Sequence, residues 1–111
     1  MTVAVEDIDF DKGNGLVPVV VQDFADRRVL MLGYANIEAV RRTLETGILH
    51  LWSRSRGELW LKGEKSGNHL QIRRLAMDCD GDSLLAVVEP ATGATPVCHT
   101  GADTCFHVDL S

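Results

Sequence analysis

The chain alternates between short β-branched runs and polar or glycine-bearing turns, with one interval of helical spacing. Residues 16–24 (Leu-Val-Pro-Val-Val-Val-Gln-Asp-Phe) predict a strand. Pro18 has no N–H to donate, which restricts that strand to a sheet edge or places Pro18 at a strand start. Asp26, Arg27 and Arg28 form a turn signal and residues 29–34 a second strand, so the two predict a hairpin. Over residues 36–46 the period becomes helical. Asn36 is a suitable N-cap, Ile37, Val40 and Leu44 share one face, and Gly47 stands just past the C-terminus. Strand character returns at 48–53, in the short apolar run 59–61, weakly at 70–77 and clearly at 83–88. Gly63 and Gly67 bracket one loop, and Gly93 and Pro96 mark another before 98–105. Residues 1–13 are acidic and turn-like, as in a loosely held, flexible arm. The sum is a β-rich α+β domain: small mixed sheets with one or two helices. The pattern does not fix the strand order.

A length of 111 residues allows one domain, 1–111, with one modest core. An active site built wholly from so short a chain would be cramped, so pairing of subunits is expected. A hydrophobic content of 45% excludes a disordered chain. The net charge of −5 does not favour nucleic acid as a partner. No basic region followed by an apolar stretch opens the chain, so no secretory signal is expected. No run approaches the ~18 apolar residues of a membrane span. The cysteines, Cys79, Cys98 and Cys105, are odd in number and fit a disulfide framework poorly. They suggest free thiols in a reducing cytoplasm, available to a metal or to catalysis.

Charge is unevenly placed. Residues 54–74 carry Arg54, Arg56, Lys62, Lys65, Arg73 and Arg74 against Glu58 and Glu64, and then come Asp78, Asp80 and Asp82. A basic block beside an acidic triplet suits an anionic substrate with a divalent cation; chance clustering on a solvated surface is the alternative.

Three constellations could carry chemistry. In Asp78-Cys79-Asp80-Gly81-Asp82, an extended backbone points Asp78 and Asp80 one way and Cys79 the other, and Gly81 permits a turn that returns Asp82. Crowded carboxylates repel, and a hard cation such as Mg²⁺ relieves that repulsion. An acidic turn beside a buried core cysteine is the plainer reading. A calcium EF-hand is excluded, because Ser83 stands where that loop needs Gly and a strand follows in place of a helix. The second constellation runs from Cys98-His99-Thr100-Gly101 to Cys105-Phe106-His107. Together with Cys79 it offers three thiolates, which would leave the fourth position of a tetrahedral zinc open to water. A fourth ligand from His99 or His107 would close the site, and absence of metal is a third possibility. The third constellation is Trp52-Ser53-Arg54-Ser55-Arg56 with Lys62, Glu64, Ser66, Gly67 and Asn68. It supplies guanidinium forks, hydroxyls and loop amides for phosphate. Trp52 and Trp60 either stack on a base or fill the core. The glycine, lysine and serine spacing is not that of a Walker loop. Single-stranded nucleic acid would also use aromatics among arginines, but 5% aromatics in an acidic chain argue against it.

Taken in order, these segments resemble the phosphoribosyl-AMP cyclohydrolase family from about residue 13 to 106. The resemblance is carried by Gly15 to Asp23, Val29 to Leu32, Trp52 to Arg56, Leu59 to Glu64, Ser66-Gly67-Asn68, Asp78-Cys79-Asp80-Gly81-Asp82 and Cys98-His99-Thr100-Gly101. The pentapeptide at 78 and the tetrapeptide at 98 are specific only in combination. The resemblance implies an intertwined homodimer with active sites between subunits. It implies zinc held by Cys79 of one chain with Cys98 and Cys105 of the other, and Mg²⁺ held by Asp78, Asp80 and Asp82. The implied reaction is hydrolysis of the N1–C6 bond in the adenine ring of 1-(5-phosphoribosyl)-AMP, a step of histidine biosynthesis, by a zinc-activated water. His99 would shuttle a proton or orient the adjoining cysteine. The family's pyrophosphohydrolase partner activity, sometimes fused at the C-terminus, is expected to come from elsewhere. Lys65 stands where the family usually has Thr, Ala102-Asp103 where a basic residue is common, and Thr104 in place of Ser; Gly33 and Ala35 lighten a bulkier segment. None is a proposed metal ligand, and the lost basic charge leaves the phosphate contacts open. Two rivals remain: a zinc hydrolase or deaminase for another purine nucleotide, and a non-catalytic nucleotide-binding module with a closed zinc.

Overall fold

The structure is a computed structural model that describes residues 4–64, 67–91, 98 and 100–111. The loop markers Gly93 and Pro96 lie outside the described residues. The elements are β1 (Val17–Asp23), β2 (Val29–Ala35), α1 (Ile37–Thr46), β3 (His50–Ser53), β4 (Glu58–Leu61), β5 (Leu70–Met77) and β6 (Leu84–Pro90). Four strands form one sheet in the order β2-β1-β6-β5, and β3 pairs with β4 in a second. The β1–β2 hairpin and the β5–β6 pair are antiparallel, whereas β1 and β6 run parallel. This is the β-rich α+β fold with mixed sheets that the pattern predicted. Pro18 lies in an interior strand, but it precedes Val19, where pairing with β6 begins. A missing donor is tolerated at that strand start. Among the described residues no helix is long and apolar enough to cross a membrane.

Strand alternation builds the core. Val17, Val19 and Val21 of β1 and Leu84, Ala86 and Val88 of β6 are buried, and α1, Leu49 and Leu51 belong to the same cluster. The helix has its predicted limits. Asn36 Oδ1 accepts the Ala39 N–H at 2.9 Å, and Gly47 adopts the left-handed conformation at the other end. Its buried face is a correction, however. Ala39, Val40 and Thr43 are inward, while Ile37 and Leu44 are 37% and 56% exposed. The Thr43 hydroxyl accounts for this rotation. It donates to Ala39 O at 2.8 Å and accepts the His50 N–H at 2.9 Å, tying that side of α1 to β3.

Residues 4–13 also depart from the loose arm expected of their composition. Val5–Asp7 and Asp11–Gly13 form 3-10 turns, and Val5, Ile8 and Phe10 pack against the core. Three apolar side chains among the acidic ones suffice to hold the segment down. The Asp9 N–H also donates to Gly81 O at 2.7 Å, fastening it to the turn between β5 and β6.

Candidate functional site

That turn carries the acidic pentapeptide. Asp78 organises it: Oδ1 accepts the N–H groups of Asp82 and Ser83 at 3.0 and 3.2 Å, and Oδ2 accepts the Ser83 hydroxyl at 2.7 Å. The Ser83 hydroxyl, joined by contacts from Asp82, holds the Asp78 carboxyl far below the usual carboxylate range. Gly81 turns the chain at φ 77°, and a Cβ there would stand 3.1 Å from Asp7 O. Only glycine meets both demands without strain. One carboxylate oxygen each from Asp78, Asp80 and Asp82 comes within 4.8 Å of the others. Hydrogen bonding to Asp82 and Asp78, with smaller additions from desolvation and from their charges, pushes the Asp80 carboxyl up. The ammonium of Lys12 approaches them, 2.9 Å from Asp82 Oδ2 and 3.6 Å from Asp80 Oδ2. Asp82 in turn pushes the Lys12 pKa up. Three converging oxygens are a donor set for a hard divalent cation.

The thiols are divided. Cys98 is buried and Cys79 and Cys105 are exposed. The Thr100 hydroxyl lies 3.1 Å from Cys98 Sγ, and His107 Nε2 lies 3.4 Å from the same hydroxyl. Thr100, through its hydroxyl and its N–H, with smaller help from His107 and Cys105, lowers the Cys98 thiol to about 6. Although Cys105 is exposed overall, partial burial of its thiol and then the neighbouring Cys98 push it up. The Cys105 N–H donates to Leu30 O at 2.7 Å, and the Thr104 hydroxyl donates to Val29 O at 2.7 Å. The cysteine segment is thus fastened to the beginning of β2.

Beyond that point β2 lines a cleft of about 490 Å³, between Met31, Leu32, Gly33 and Tyr34 on one side and Trp52, Ser53, Arg54, Ser55 and Trp60 on the other. The Arg54 guanidinium lies 3.8 Å above the Tyr34 ring, and the Lys62 ammonium 5.2 Å from the Trp60 ring. Lys62 also favours the thiolate of Cys105, so cleft and thiol pair share one electrostatic neighbourhood. Arg56 is engaged by Glu58 at 3.4 Å. Glu64, Gly67 and Asn68 follow in the loop after β4. There Gly63 is required, because a Cβ would stand 2.3 Å from Asn68 O. Arg73 lies apart, paired with Glu89 and stacked on Phe24.

Comparison with known proteins identifies the family. The phosphoribosyl-AMP cyclohydrolase family model matches residues 31–107. The chain belongs to that family. A phosphoribosyl-AMP cyclohydrolase of Cenarchaeum symbiosum (strain A) is 48% identical over 106 residues, covering 96% of this chain and 95% of the relative. One of Clostridium botulinum (strain 657 / Type Ba4) is 49% identical over 105 residues, with 95% and 93% covered. The histidine biosynthesis bifunctional protein HisIE of Bacteroides thetaiotaomicron is 52% identical over 100 residues, covering 90% of this chain but 48% of that protein. The chain therefore spans about half of the bifunctional relative.

The candidate residues fall into two groups in this enzyme-family fold. Cys98, Cys105 and the cleft residues Trp52, Ser53, Arg54 and Ser55 gather along β2, with Lys62 close by. Asp78, Asp80, Asp82 and Cys79 occupy the β5–β6 turn. Among the described residues only the three aspartates converge as a metal-binding group, so Cys79 does not join Cys98 and Cys105 within one chain. His99 and Ser66 lie outside the described residues, as does Lys65. Tyr34 was missed by sequence reasoning. Strand alternation does place it with Leu32 on one side of β2, but nothing local signals that Arg54 will cover it.

Proposed function

We propose that the protein hydrolyses the N1–C6 bond of the adenine ring of 1-(5-phosphoribosyl)-AMP, as a cytoplasmic homodimer with two active sites shared between subunits. The observation that carries this reading is the separation of the two groups within one chain. The thiol pair hangs from Leu30 on β2, at one edge of the sheet, and Cys79 belongs to the β5–β6 turn. Two to three strand spacings, roughly 10–14 Å, lie between them sideways. They are also at opposite ends: Met31 pairs with Val21, whereas Leu84, just past the turn, is level with Val19. Thiolates on one zinc stand roughly 4 Å apart. A second copy can supply the missing thiol.

The donors fit the metals this family implies. Cys98 is ionised near neutral pH and has Cys105 beside it, which suits zinc. Asp78, Asp80 and Asp82 suit Mg²⁺. When bound, zinc lowers the pKa of water toward ~7 and so supplies hydroxide near neutral pH. The chain's own residues do the rest. Trp52 and Trp60 offer ring faces to the base, and Arg54, Ser53 and Ser55 offer donors to a phosphate. Lys62, Glu64, Ser66, Gly67 and Asn68 extend the substrate contacts. His99, adjoining Cys98, delivers a proton to N1 as the bond to C6 breaks. The water oxygen stays on C6 as the carboxamide. The substrate is a small molecule, and neither nucleic acid nor membrane is involved.

A spectroscopic ring-opening assay with phosphoribosyl-AMP tests this. Turnover is expected with zinc and Mg²⁺ present and abolished by a chelator. Cys98→Ala and Cys105→Ala should each lose zinc and nearly all activity. Turnover that survives thorough metal stripping would overturn the metal mechanism, and a zinc with four protein ligands would favour a non-catalytic binding module.

A further inference from the structure

We propose that Lys12 is a built-in counter-cation of the acidic turn: its ammonium holds the place of the divalent cation, which loads by displacing it. The inference rests on the reading of Asp78, Asp80 and Asp82 as the Mg²⁺ site. The Lys12 Nζ contacts Asp82 Oδ2 at 2.9 Å and Asp80 Oδ2 at 3.6 Å, bridging two of the three converging carboxylates. It reaches them from a segment distant in sequence, and that segment is anchored at the spot. The Asp9 N–H donates to Gly81 O at 2.7 Å, and Asp9 Oδ1 accepts the Lys12 N–H at 3.1 Å. The backbone therefore presents Lys12 to the turn. Its side chain is still 53% exposed, so it can swing into water without unpacking anything.

One positive charge cannot balance three carboxylates, and a divalent cation with fixed oxygen ligands does so better. The two cations compete for the same oxygens. The contact of Lys12 with Asp82 thus steadies the turn and opposes loading of the divalent cation. An exposed ion pair contributes modestly, so removing the ammonium should tighten cation binding by about two- to fivefold.

Mg²⁺ is titrated calorimetrically, and Mn²⁺ by electron paramagnetic resonance, into the zinc-loaded wild type and into Lys12→Gln, Asp80→Asn and Arg42→Gln. Lys12→Gln should bind about two- to fivefold tighter. Arg42→Gln, which removes the same charge from α1, should bind as the wild type does. Without Mg²⁺, Lys12→Gln should melt below the wild type, and the gap should close or reverse as Mg²⁺ saturates, because tighter binding adds more stability. Equal or weaker binding by Lys12→Gln, or a melting deficit indifferent to Mg²⁺, would overturn the role of Lys12 and leave the Mg²⁺ site standing. Binding left intact in Asp80→Asn, or absent in the wild type, would remove the Mg²⁺ site and this inference with it.

Discussion

Two neighbouring thiols are driven in opposite directions. The Thr100 hydroxyl and N–H favour the Cys98 thiolate, whereas partial burial first, and then the neighbouring Cys98, push the Cys105 thiol up. With its thiol at about 6, Cys98 is mostly thiolate at pH 7 and ready for a soft metal. A depressed folded-state value gives stability that is full above the ordinary thiol range and is lost as pH falls through about 6. In zinc-stripped protein, the rate of Cys98 alkylation by iodoacetamide should rise through about pH 6 and level off above it, while Cys105 lags. Thr100→Val should move the Cys98 midpoint upward. Mass spectrometry of each cysteine after timed alkylation is the check. A Cys98 rate still climbing at pH 9 would sink the assignment. The sequence marked the Cys-His-Thr-Gly segment as a candidate, but the role of its threonine was not legible. That role depends on a side-chain contact, which spacing does not encode.

At the scale of elements, strands were legible because alternation and turn residues are local signals. The core residues Val17, Val19 and Val21 are the inward half of one alternating run. The helix was legible in its limits, since Asn36 and Gly47 act within a turn or so of themselves. Its orientation was not. Periodicity selected Ile37, Val40 and Leu44, whereas contact with β3 selected Ala39, Val40 and Thr43. A buried threonine lowers no hydrophobic count when it finds partners across the fold, and sequence cannot see those partners. The same limit hid Lys12, whose carboxylate partners lie far along the chain. Thr43→Val keeps the shape but strands the His50 N–H in the interior, so it should destabilise the protein by about 1–3 kcal/mol. Thr43→Ser keeps the hydroxyl and should cost less. Denaturant melts of the two variants measure this; equal stability of Thr43→Val and wild type would show that the hydroxyl does not fix the helix.

At the scale of the whole molecule, the fold puts the two groups of candidate residues at opposite corners of one four-stranded sheet. The cleft and the Cys98–Cys105 pair lie along the outer strand β2, and the acidic turn with Cys79 joins β5 to β6. Leu32 of β2, and Phe106 and Val108 just past Cys105 in the chain, are exposed apolar side chains that a second copy could cover. A two-fold axis that brings one copy's acidic turn onto its partner's thiol pair necessarily does the reverse as well, which makes two sites. Two inactive variants should therefore rescue one another. In a heterodimer of Cys79→Ala and Cys98→Ala subunits, one site combines both lesions and the other has three native cysteines. Unbiased assembly makes half of all dimers heterodimers, so about a quarter of all sites should be intact and activity should recover to about that fraction. Were all three cysteines drawn from one chain, every site would keep its own lesion and mixing would restore nothing. Zinc binding stabilises folds that it completes, so heterodimer formation must be verified by sedimentation before activity is compared. Well-formed heterodimers without recovered turnover would overturn the shared site, and recovery near a quarter would place Cys79 across the dimer from Cys98.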